Sequence, residues 1–484
     1  MLLVQQATEV SVVNDDKPRQ ETTESSNETR SQKRVKGHLE QVNLFAAGID
    51  IGAHSHFVAV PEELDSQPVR EFPCFTRDLN RLADWLVQIG IQTVAMESTG
   101  VYWIPAYDIL EERGLAVLLV NARHVKNAPG RKTDVQDCQW IQRLHTYGLL
   151  QGSLRPPEET VALRTYLRQR ARLVQQAADT IRLMQKALRE MNLLLENVVS
   201  DIDGVTGMTI IRRILVGERD PNVLAQFRDK RCKQDEATIA ASLEGHYRDE
   251  HVFALKQAVE RYDFYQTQIA ACDNMIEAQM NRMEHAGNSD DLPPTQKKKN
   301  PASPDFDVRG ELYRLTGVDL TQIDGINETT ALKVLAETGV DVTPWPSDKH
   351  FASWLGLSPG NKITGGKIIS SKTKPSANRA AAAFRLAAFA LLRSKSALGA
   401  YCRRQRARLG APKAITATAH KLARIFYSML KTKKAYVDLG QDYYEEQYRN
   451  RATKNLRKKA ASLGFDLVQS KKKELEQEPL LSTA

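Results

Sequence analysis

The chain has 484 residues, enough for two or three domains and too many for one hydrophobic core. Its 68 Lys and Arg against 59 Asp and Glu give a formal net charge of +9, which leaves room for polyanion-binding surfaces without requiring them. No stretch approaches about eighteen uncharged apolar residues, and the first residues are polar and acidic. We therefore expect neither a membrane-spanning helix nor a secretory signal.

The five cysteines point to a reducing compartment. They are odd in number, far apart and without C-x-x-C spacing, which argues against a disulfide framework and against a zinc site. A cytoplasmic protein fits this pattern. The cysteines are Cys74, Cys138, Cys232, Cys272 and Cys402.

Residues 1–40 are polar and charged, the composition of a disordered leader. The segment that follows, 44–152, alternates apolar runs with helical patterns and ends before Pro156-Pro157. Three strands followed by alternating helices and strands is typical of a ribonuclease-H-like α/β core. The predicted strands lie near 44–51, 55–61, 70–75, 92–97 and 116–121, and the helices near 77–90, 103–113 and 134–149.

Four acidic residues of this segment are expected to converge. Asp50 lies near the end of the first strand, and Glu97 ends the fourth. Asp134 and Asp137 begin a helix, where residues three apart share one face. Taken singly, each acid has an ordinary explanation as a turn residue or an N-cap. Taken together on this pattern, they predict a carboxylate cluster.

Such a cluster predicts a metal site. Converging carboxylates repel one another, and a hard divalent cation with oxygen ligands removes that cost. Two Mg²⁺ ions held in this way can activate the attacking oxygen and stabilise the leaving oxygen in phosphodiester cleavage.

Residues 158–285 form a predicted helical coiled-coil region. A long helix is expected over 158–199 and a second near 253–283, with shorter helices and turns over 200–250. The two long helices can pair within one chain, or each can dimerise, and their basic face can touch nucleic acid; the plainer alternative is a solvated helical hairpin. The predicted seam of the first helix is Leu167, Val174, Ile181, Leu188 and Leu195 with Leu163, Ala177, Met184, Met191 and Val198; that of the second is Leu255, Tyr262, Ile269, Ile276 and Met283.

Residues 286–308 lack periodicity and are expected to form a linker to a second globular unit over 310–435, which a basic helical or disordered tail follows over 436–484. Within this unit, residues 320–337 predict a helix-hairpin-helix turning at Gly325. Helix N-termini of that motif can contact phosphates. The alternative is a structural turn between two helices.

A loop over 360–374 alternates hydroxyls, glycines and lysines, and a helix with Asn378, Arg379 and Arg385 follows. Such a loop lets the backbone approach a sugar-phosphate chain while cations neutralise it. A single Ser or Thr here is usually an ordinary loop residue, yet one hydroxyl can serve as a nucleophile. The predicted nucleic-acid contacts are Lys132, Lys362, Lys367, Lys372, Lys374 and Arg379.

With both halves described, the chain resembles the DEDD transposases of bacterial insertion sequences, the IS-one-ten family that includes the Piv-type invertases. The similarity spans about residues 44–435, and the order and separation of its motifs are more specific than any one of them. The motifs are Gly48-Ile49-Asp50-Ile51-Gly52, Met96-Glu97-Ser98-Thr99-Gly100, Lys132-Thr133-Asp134-Val135-Gln136-Asp137, Ile323-Asp324-Gly325-Ile326, Trp354-Leu355-Gly356-Leu357 and Gly365-Gly366-Lys367.

The resemblance implies a RuvC-like N-terminal domain whose acids Asp50, Glu97, Asp134 and Asp137 bind Mg²⁺, two ions per site. It also implies a coiled-coil arm and a helical C-terminal transposase domain that contributes a catalytic serine. Members of this family resemble recombinases guided by a structured non-coding RNA of the element. They act on element ends and target DNA as tetramers with composite active sites, in the bacterial cytoplasm at the nucleoid.

This sequence departs from the family pattern at the nucleophile. The family serine commonly precedes Gly-Gly-Lys, and Thr364 occupies that place here. A threonine is a more hindered nucleophile. Ser370, with Ser371 next to it, is the other candidate. Chemistry favours Ser370, whereas the alignment of motifs favours Thr364.

Three other classes of protein compete with a transposase. A RuvC-like junction nuclease would use the same acids without a C-terminal hydroxyl. An actin-like kinase opens with a similar strand but needs later glycine-rich nucleotide loops, which the N-terminal segment lacks. A non-catalytic nucleic-acid-binding protein would tolerate Asp50→Asn and Asp134→Asn without loss of activity.

Overall fold

The structure, a computed structural model, describes residues 40–98, 100–121, 133–295, 297–300, 302–375 and 378–468. The predicted leader, apart from its last residue, and Lys132 lie outside the described residues. The chain divides into two compact units, Met1–Arg155 and Pro156–Ala484. No helix among the described residues is long and apolar enough to cross a membrane.

The described residues of the first unit contain five strands and three helices, and each lies within a few residues of its predicted position. The strands are β1 Ala46–Ile51, β2 Ser55–Ala59, β3 Val69–Pro73, β4 Thr93–Glu97 and β5 Ala116–Val120, and the helices are α1 Thr76–Gln88, α2 Trp103–Glu112 and α3 Asp134–Thr146.

The strands form one mixed sheet in the order β3-β2-β1-β4-β5. The first three strands pair antiparallel, and β4 and β5 add parallel to β1. One face of the sheet is covered by α1 and α2 over a core that includes Ile49, Leu82 and Met96. This mixed sheet with helices is consistent with the expected RuvC-like domain.

The opposite face of the sheet carries α3, which approaches β1 closely because Gly48 has no side chain. A Cβ at Gly48 would lie 2.7 Å from the Cα of Gln142, and closer still to the backbone N of Gln142 and the carbonyl O of Cys138. Beside this contact, Ile141 packs with Ala95 and Val120 in a small apolar cluster.

The second unit is largely helical. Its helices are α4 Glu158–Glu190, α5 Val205–Leu215, α6 Pro221–Ala225, α7 Glu236–Ser242, α8 Asp249–Arg282, α9 Val308–Thr316, α10 Glu328–Thr338, α11 Asp348–Trp354, α12 Arg379–Ala390, α13 Ala397–Leu409, α14 Ala411–Thr432 and α15 Gly440–Ser462, and its only described strands are β6 Lys362–Thr364 and β7 Lys367–Ser370.

The two long helices, α4 and α8, lie antiparallel in the same chain. At one end the side-chain amide of Gln279 donates to the carbonyl O of Glu159, 3.2 Å away. At the other end His251 Nδ1 is 3.3 Å from a carboxylate oxygen of Glu190. Of the two predicted arrangements, the structure therefore has the pairing within one chain.

Two predictions for α4 are wrong. The helix ends at Glu190 rather than near 199, because Asn192 adopts a left-handed conformation (φ 57°) and the buried Leu193 and Leu195 turn into the small core formed by α5, α6 and α7. In addition, Val174 is 38% exposed and Leu173 faces α8 instead.

The seam between the long helices contains a buried ion pair. Arg170, with 12% of its side chain exposed, pairs with Asp273, which is 7% exposed. Asp273 also accepts a hydrogen bond from the backbone N of Asp305, 3.1 Å away. Leu163, Arg170, Ala177, Met184 and Met191 follow one another every seven residues, so a charged residue occupies a seam position that hydrophobicity does not reveal.

Among its described residues, the segment predicted as a linker has only a three-residue 3-10 helix, Ser289–Asp291, but hydrogen bonds tie it to its neighbours. The backbone N of Gly287 donates to Arg314 O at 3.0 Å, and that of Asn300 donates to a carboxylate oxygen of Glu328 at 2.7 Å. Arg309 reaches Pro293 O at 2.6 Å. These bonds order the segment against α9 and α10.

The C-terminal helices share an aromatic core. Phe384 of α12 and Phe426 of α14 meet edge to face with ring centroids 5.4 Å apart, and both are fully buried. Tyr427 of α14 donates to Trp345 O at 2.7 Å. The many alanines of α12 let this helix lie close to α14.

Candidate active site

Asp50 and Glu97 lie level with each other on neighbouring parallel strands. The register pairs Ile49 with Met96, so the next residue of each strand is an acid. Side chains alternate along a strand. Because Ile49 and Met96 face α1 and α2, Asp50 and Glu97 face the α3 side of the sheet. Glu97 is buried and Asp50 is half-buried.

The direction of α3 brings its first turn to the same edge. Near the start of β1, the backbone N of Asn43 donates to Thr146 O at 3.0 Å. In the middle of β1, Gly48 touches Cys138 and Gln142. The helix therefore runs antiparallel to β1, and its N-terminus lies where β1 ends.

Asp134 and Asp137 occupy this first turn of α3. Thr133 caps the helix by accepting from the backbone N of Gln136 at 3.3 Å. The cap is therefore Thr133 rather than either of the two acids. Asp134 is exposed and Asp137 is half-buried. The structure thus assigns all four acids to one edge of the sheet.

Cys138 reports how close these charges are. Burial, together with the nearby negative charges of Asp50 and Asp137, raises the pKa of its thiol to about 12. Two of the four acids, one from the strand and one from the helix, therefore lie close enough to act on one thiol. Cys138 itself stays protonated, so it is not a nucleophile.

The donor atoms at this edge fit a hard cation. All four side chains offer carboxylate oxygens, the ligands that a hard cation prefers, and the Cys138 thiol donates its S–H to Val135 O at 3.1 Å. Within the part of the chain that the structure describes, no group of three or more His, Cys, Asp or Glu side chains is close enough to hold a metal ion. The four acids therefore lie at one edge of the sheet, but their side chains do not meet at a common point.

The segment predicted as a loop over 360–374 is instead a β-hairpin. Thr364 pairs with Lys367, Ile363 with Ile368, and Lys362 with Ser370. The turn is Gly365-Gly366, with φ values of 56° and 74°. Two successive left-handed residues make the tight turn that suits a two-residue hairpin, and glycine adopts it without strain.

Both candidate nucleophiles lie on one face of this hairpin. Cross-strand partners share a face, and so do residues two apart on a strand. Thr364 is therefore opposite Lys367, and Ser370 is opposite Lys362, with all four on the same side. The hydroxyl oxygen of Ser370 accepts from the backbone N of Lys372 at 3.4 Å. Ser371 follows the end of β7.

The other face of the hairpin is apolar and open. Ile363 and Ile368 are each 61% exposed, and Ile369 is 69% exposed at a bulge in the register. The remaining predicted contacts, Lys372, Lys374 and Arg379, are exposed and lie between β7 and the first residue of α12.

The predicted helix-hairpin-helix differs in its first half. The residues before Gly325 form only the 3-10 helix Leu320–Gln322, whereas α10 follows the turn as expected. Gly325 has φ 83°, and a Cβ there would lie 2.9 Å from Ala387 O. The turn is therefore packed against α12, which agrees with the structural alternative for this motif.

Sequence reasoning missed the part that Gly48 plays in the site. Its signal was present, since a glycine two residues before Asp50 is unusual inside a buried strand. Sequence reasoning also missed the distribution of charge in the C-terminal half, where no acid occurs between Lys349 and Val437.

Two family models match the chain. Residues 47–193 match a model described as a transposase, the DEDD type of IS110, and residues 319–403 match a model described as a transposase of the IS116/IS110/IS902 family. The first match contains the four acids, and the second contains the β6–β7 hairpin and Arg379. No curated protein matches the chain.

Proposed function

The chain belongs to the IS110 family of DEDD transposases, and we propose that it moves an insertion sequence by metal-dependent cleavage and rejoining of DNA strands. The observation that carries this proposal is the edge of the sheet where Asp50, Glu97, Asp134 and Asp137 are brought to one side. A purely structural role would not require four acids at one edge, since like charges repel.

In this proposal the four carboxylates hold Mg²⁺, two ions per site. Such ions, when bound, polarise the scissile phosphate and stabilise charge on the attacking and leaving oxygens. Gly48 positions Asp134 and Asp137 by letting α3 lie against β1. The uncharged side chain of Cys138 borders the site.

A hydroxyl on the hairpin supplies the nucleophile. Its oxygen bonds to phosphorus as one phosphorus–oxygen bond of the DNA breaks, and its proton goes to the departing sugar oxygen. The product is a protein–DNA phosphoester. A sugar hydroxyl of another strand later attacks its phosphorus, which joins the two strands and releases the protein hydroxyl. Ser370 and Thr364 both meet the requirement, because each has a lysine directly across the hairpin that can neutralise the phosphate.

The basic residues around the hairpin would hold the strand. Lys362 and Lys367 share the hydroxyl face, and Lys372, Lys374 and Arg379 continue toward α12. We also assign Lys132 to the DNA, on the resemblance of its motif alone. Contacts of this kind fix the backbone and do not read the bases.

Guidance and assembly complete the proposal. By the family resemblance, a structured RNA of the element pairs with element ends and target DNA, and the protein acts as a dimer or tetramer. The long helices also expose several large apolar side chains, which an assembly surface would cover. They are Leu183 and Val174 of α4 and Phe264 and Met275 of α8.

The test is an adduct assay. Full-length protein is incubated with Mg²⁺, element-end DNA and RNA from the flanking non-coding region, and separated on a denaturing gel. We expect a covalent protein–DNA band that Asp50→Asn abolishes and that Ser370→Ala or Thr364→Ala abolishes, whichever residue is the nucleophile. Ser353→Ala, which removes an exposed hydroxyl of α11, is the matched control.

The alternative, a RuvC-like nuclease, predicts the opposite result. It would cut the DNA without an adduct, and the triple variant Thr364→Ala, Ser370→Ala and Ser371→Ala would still cut. Cleavage that persists in this triple variant would overturn the hydroxyl mechanism while leaving the acidic site in place. Activity that survives Asp50→Asn and Asp134→Asn would instead indicate a non-catalytic binding protein.

A further inference from the structure

One stretch of the C-terminal helices carries a large net positive charge. From Lys349 to Val437, 89 residues contain 19 Lys and Arg and no Asp or Glu. Since the whole chain has a formal net charge of +9, the other 395 residues together carry −10. Such a division of charge creates a strong local field that favours a polyanion.

Helix α13 of this region lies beside α15, which begins just after the region ends, and the two helices run in the same direction. The backbone N of Ala397 donates to Asp438 at 3.1 Å, before the start of α15. Further along, the rings of Tyr401 and Tyr444 are 6.3 Å apart. Further still, the guanidinium of Arg404 lies 3.5 Å from the ring centroid of Tyr448 and pairs with Glu445.

The same face of α15 becomes cationic farther along the helix. Tyr444, Tyr448, Arg451 and Lys458 follow at spacings of four, three and seven, which places them on one side of the helix. Between residues 449 and 459 the helix has six Lys and Arg and no acid. No described residue of α15 is buried, so these cations do not compensate a buried acid on the same helix.

Lys421 of α14 faces this cationic stretch. Its ammonium lies 4.5 Å from the ring centroid of Tyr401 and 5.8 Å from that of Tyr444. Burial lowers the pKa of Lys421, and the positive charges of Arg451 and Arg424 lower it further. Like charges therefore approach one another here.

Acidic partners compensate only some of these cations. Arg424 pairs with Asp348 at 2.6 Å, and Arg404 pairs with Glu445. Across the described ranges, by contrast, no carboxylate lies within 4.0 Å of Lys421, Arg451, Lys454 or Lys458. An external anion would lower the repulsion among these four cations.

We propose that Lys421, Arg451, Lys454 and Lys458, with Tyr444 and Tyr448 beside them, form a basic face that binds the phosphate backbone of a nucleic acid. Residues 451–458 span about 10 Å along the helix, the length of roughly three phosphates of one duplex strand. This basic face lies outside the residues matched by either family model and apart from the hairpin. The inference rests on the proposed function only for the class of its ligand.

The test compares two triple variants of the full-length protein. Arg451→Gln, Lys454→Gln and Lys458→Gln remove three uncompensated charges from the basic face. The control, Arg212→Gln, Arg231→Gln and Arg248→Gln, removes three exposed charges that each pair with a carboxylate between 2.6 and 2.8 Å away. Binding to a 20-base-pair DNA duplex and to an RNA duplex of the same length is measured over a range of salt concentrations.

We expect the basic-face variant to bind at least about tenfold more weakly and to show a salt slope smaller by about 2 to 3, since each phosphate contact contributes about 0.9 to the slope on duplex DNA. The control variant should keep the wild-type affinity. A loss confined to one duplex identifies DNA or RNA as the ligand. Affinity that equals the wild type, or a loss no larger than that of the control, overturns the proposal.

These outcomes are independent of catalysis. If the wild-type protein forms no adduct but the basic-face variant still loses duplex binding, the proposed reaction fails and the basic face stands. If adduct forms in both variants with unchanged duplex affinity, the reaction stands and the basic face fails.

Discussion

Gly48 is the residue on which the geometry of the acidic edge most depends. It is the point where α3 contacts β1, and α3 carries two of the four acids. A strand residue without a side chain is a cost in local stability that is offset here by the close approach of a helix. The four acids can be selected by their own spacing, but their placement at one edge of the sheet depends on this glycine.

We predict that Gly48→Ala lowers the free energy of unfolding by about 1–3 kcal/mol, because the new methyl group overlaps the backbone of α3. DNA cleavage should fall at least tenfold as Asp134 and Asp137 move away. The matched variant is Gly90→Ala, which meets no atom within 4 Å but has φ 80° and so also loses stability. Gly48→Ala cleaving as fast as Gly90→Ala would contradict the account.

His145 gives the first unit a dependence on pH. Its Nε2 lies 2.9 Å from Thr93 Oγ1, and burial lowers its pKa. In the unfolded chain the imidazole gains a proton near pH 6.5, whereas the folded protein delays that step to lower pH. The unfolded state then binds more protons, so stability is lost as the pH falls below about 6.5.

We therefore expect urea unfolding at pH 7.5 and 5.5 to show a larger loss of stability in the wild type than in His145→Gln. Glutamine keeps a polar group near Thr93 and cannot take up a proton. Parallel losses in the two proteins would show that His145 does not carry this pH dependence.

At the scale of elements, the positions of the hydroxyls on the β6–β7 hairpin depend on the conformation of its turn. Gly365 and Gly366 both have positive φ, a conformation that costs other residues about 1–2 kcal/mol each. The hairpin is exposed, so its local order contributes little to global stability.

We predict that Gly366→Val reduces adduct formation roughly five- to tenfold and leaves the thermal midpoint unchanged. Gly365→Asn is the control, because asparagine followed by glycine suits this type of turn. The gel assay and a thermal melt together measure both effects. Wild-type adduct formation by Gly366→Val would mean that the turn does not position the nucleophile.

The seam between α4 and α8 depends on the pair Arg170 and Asp273. Removing one partner leaves a buried charge, which costs about 3–5 kcal/mol. We expect Asp273→Ala to lower the free energy of unfolding by about that amount in denaturant unfolding. The double variant Arg170→Met, Asp273→Leu should recover most of the loss, since apolar residues of similar size fill a helix seam well. A double variant less stable than Asp273→Ala would refute this view of the pair.

At the scale of the whole molecule, the sequence predicted the first unit better than the second. Strands β1, β2 and β4 are mostly buried runs bounded by turn residues, so their pattern is distinct. In α4, Arg170 occupies a seam position, and counting apolar residues selected Val174 instead of Leu173. The β6–β7 hairpin was taken for a loop because three- and four-residue strands with exposed isoleucines on one face give no buried pattern.

The candidate site was likewise predicted in part. Sequence spacing was enough to select Asp50, Glu97, Asp134 and Asp137, and the fold adds that all four lie at one edge. The choice between Ser370 and Thr364 did not follow from spacing. The hairpin explains the ambiguity, since it places both hydroxyls on one face, each opposite a lysine.

The most direct test of the account is whether the acidic edge binds a divalent cation. Titration of full-length protein with Mn²⁺, followed by electron paramagnetic resonance, should show bound metal that Mg²⁺ displaces. Asp50→Asn and Glu97→Gln should each weaken metal binding by more than about tenfold. Loss of a residue that only hydrogen-bonds a metal ligand already costs about tenfold in affinity, and loss of the ligand itself should cost at least as much. Asp84→Asn, an exposed acid that pairs with Arg113, should bind as the wild type does. Equal binding by all four proteins would contradict the account.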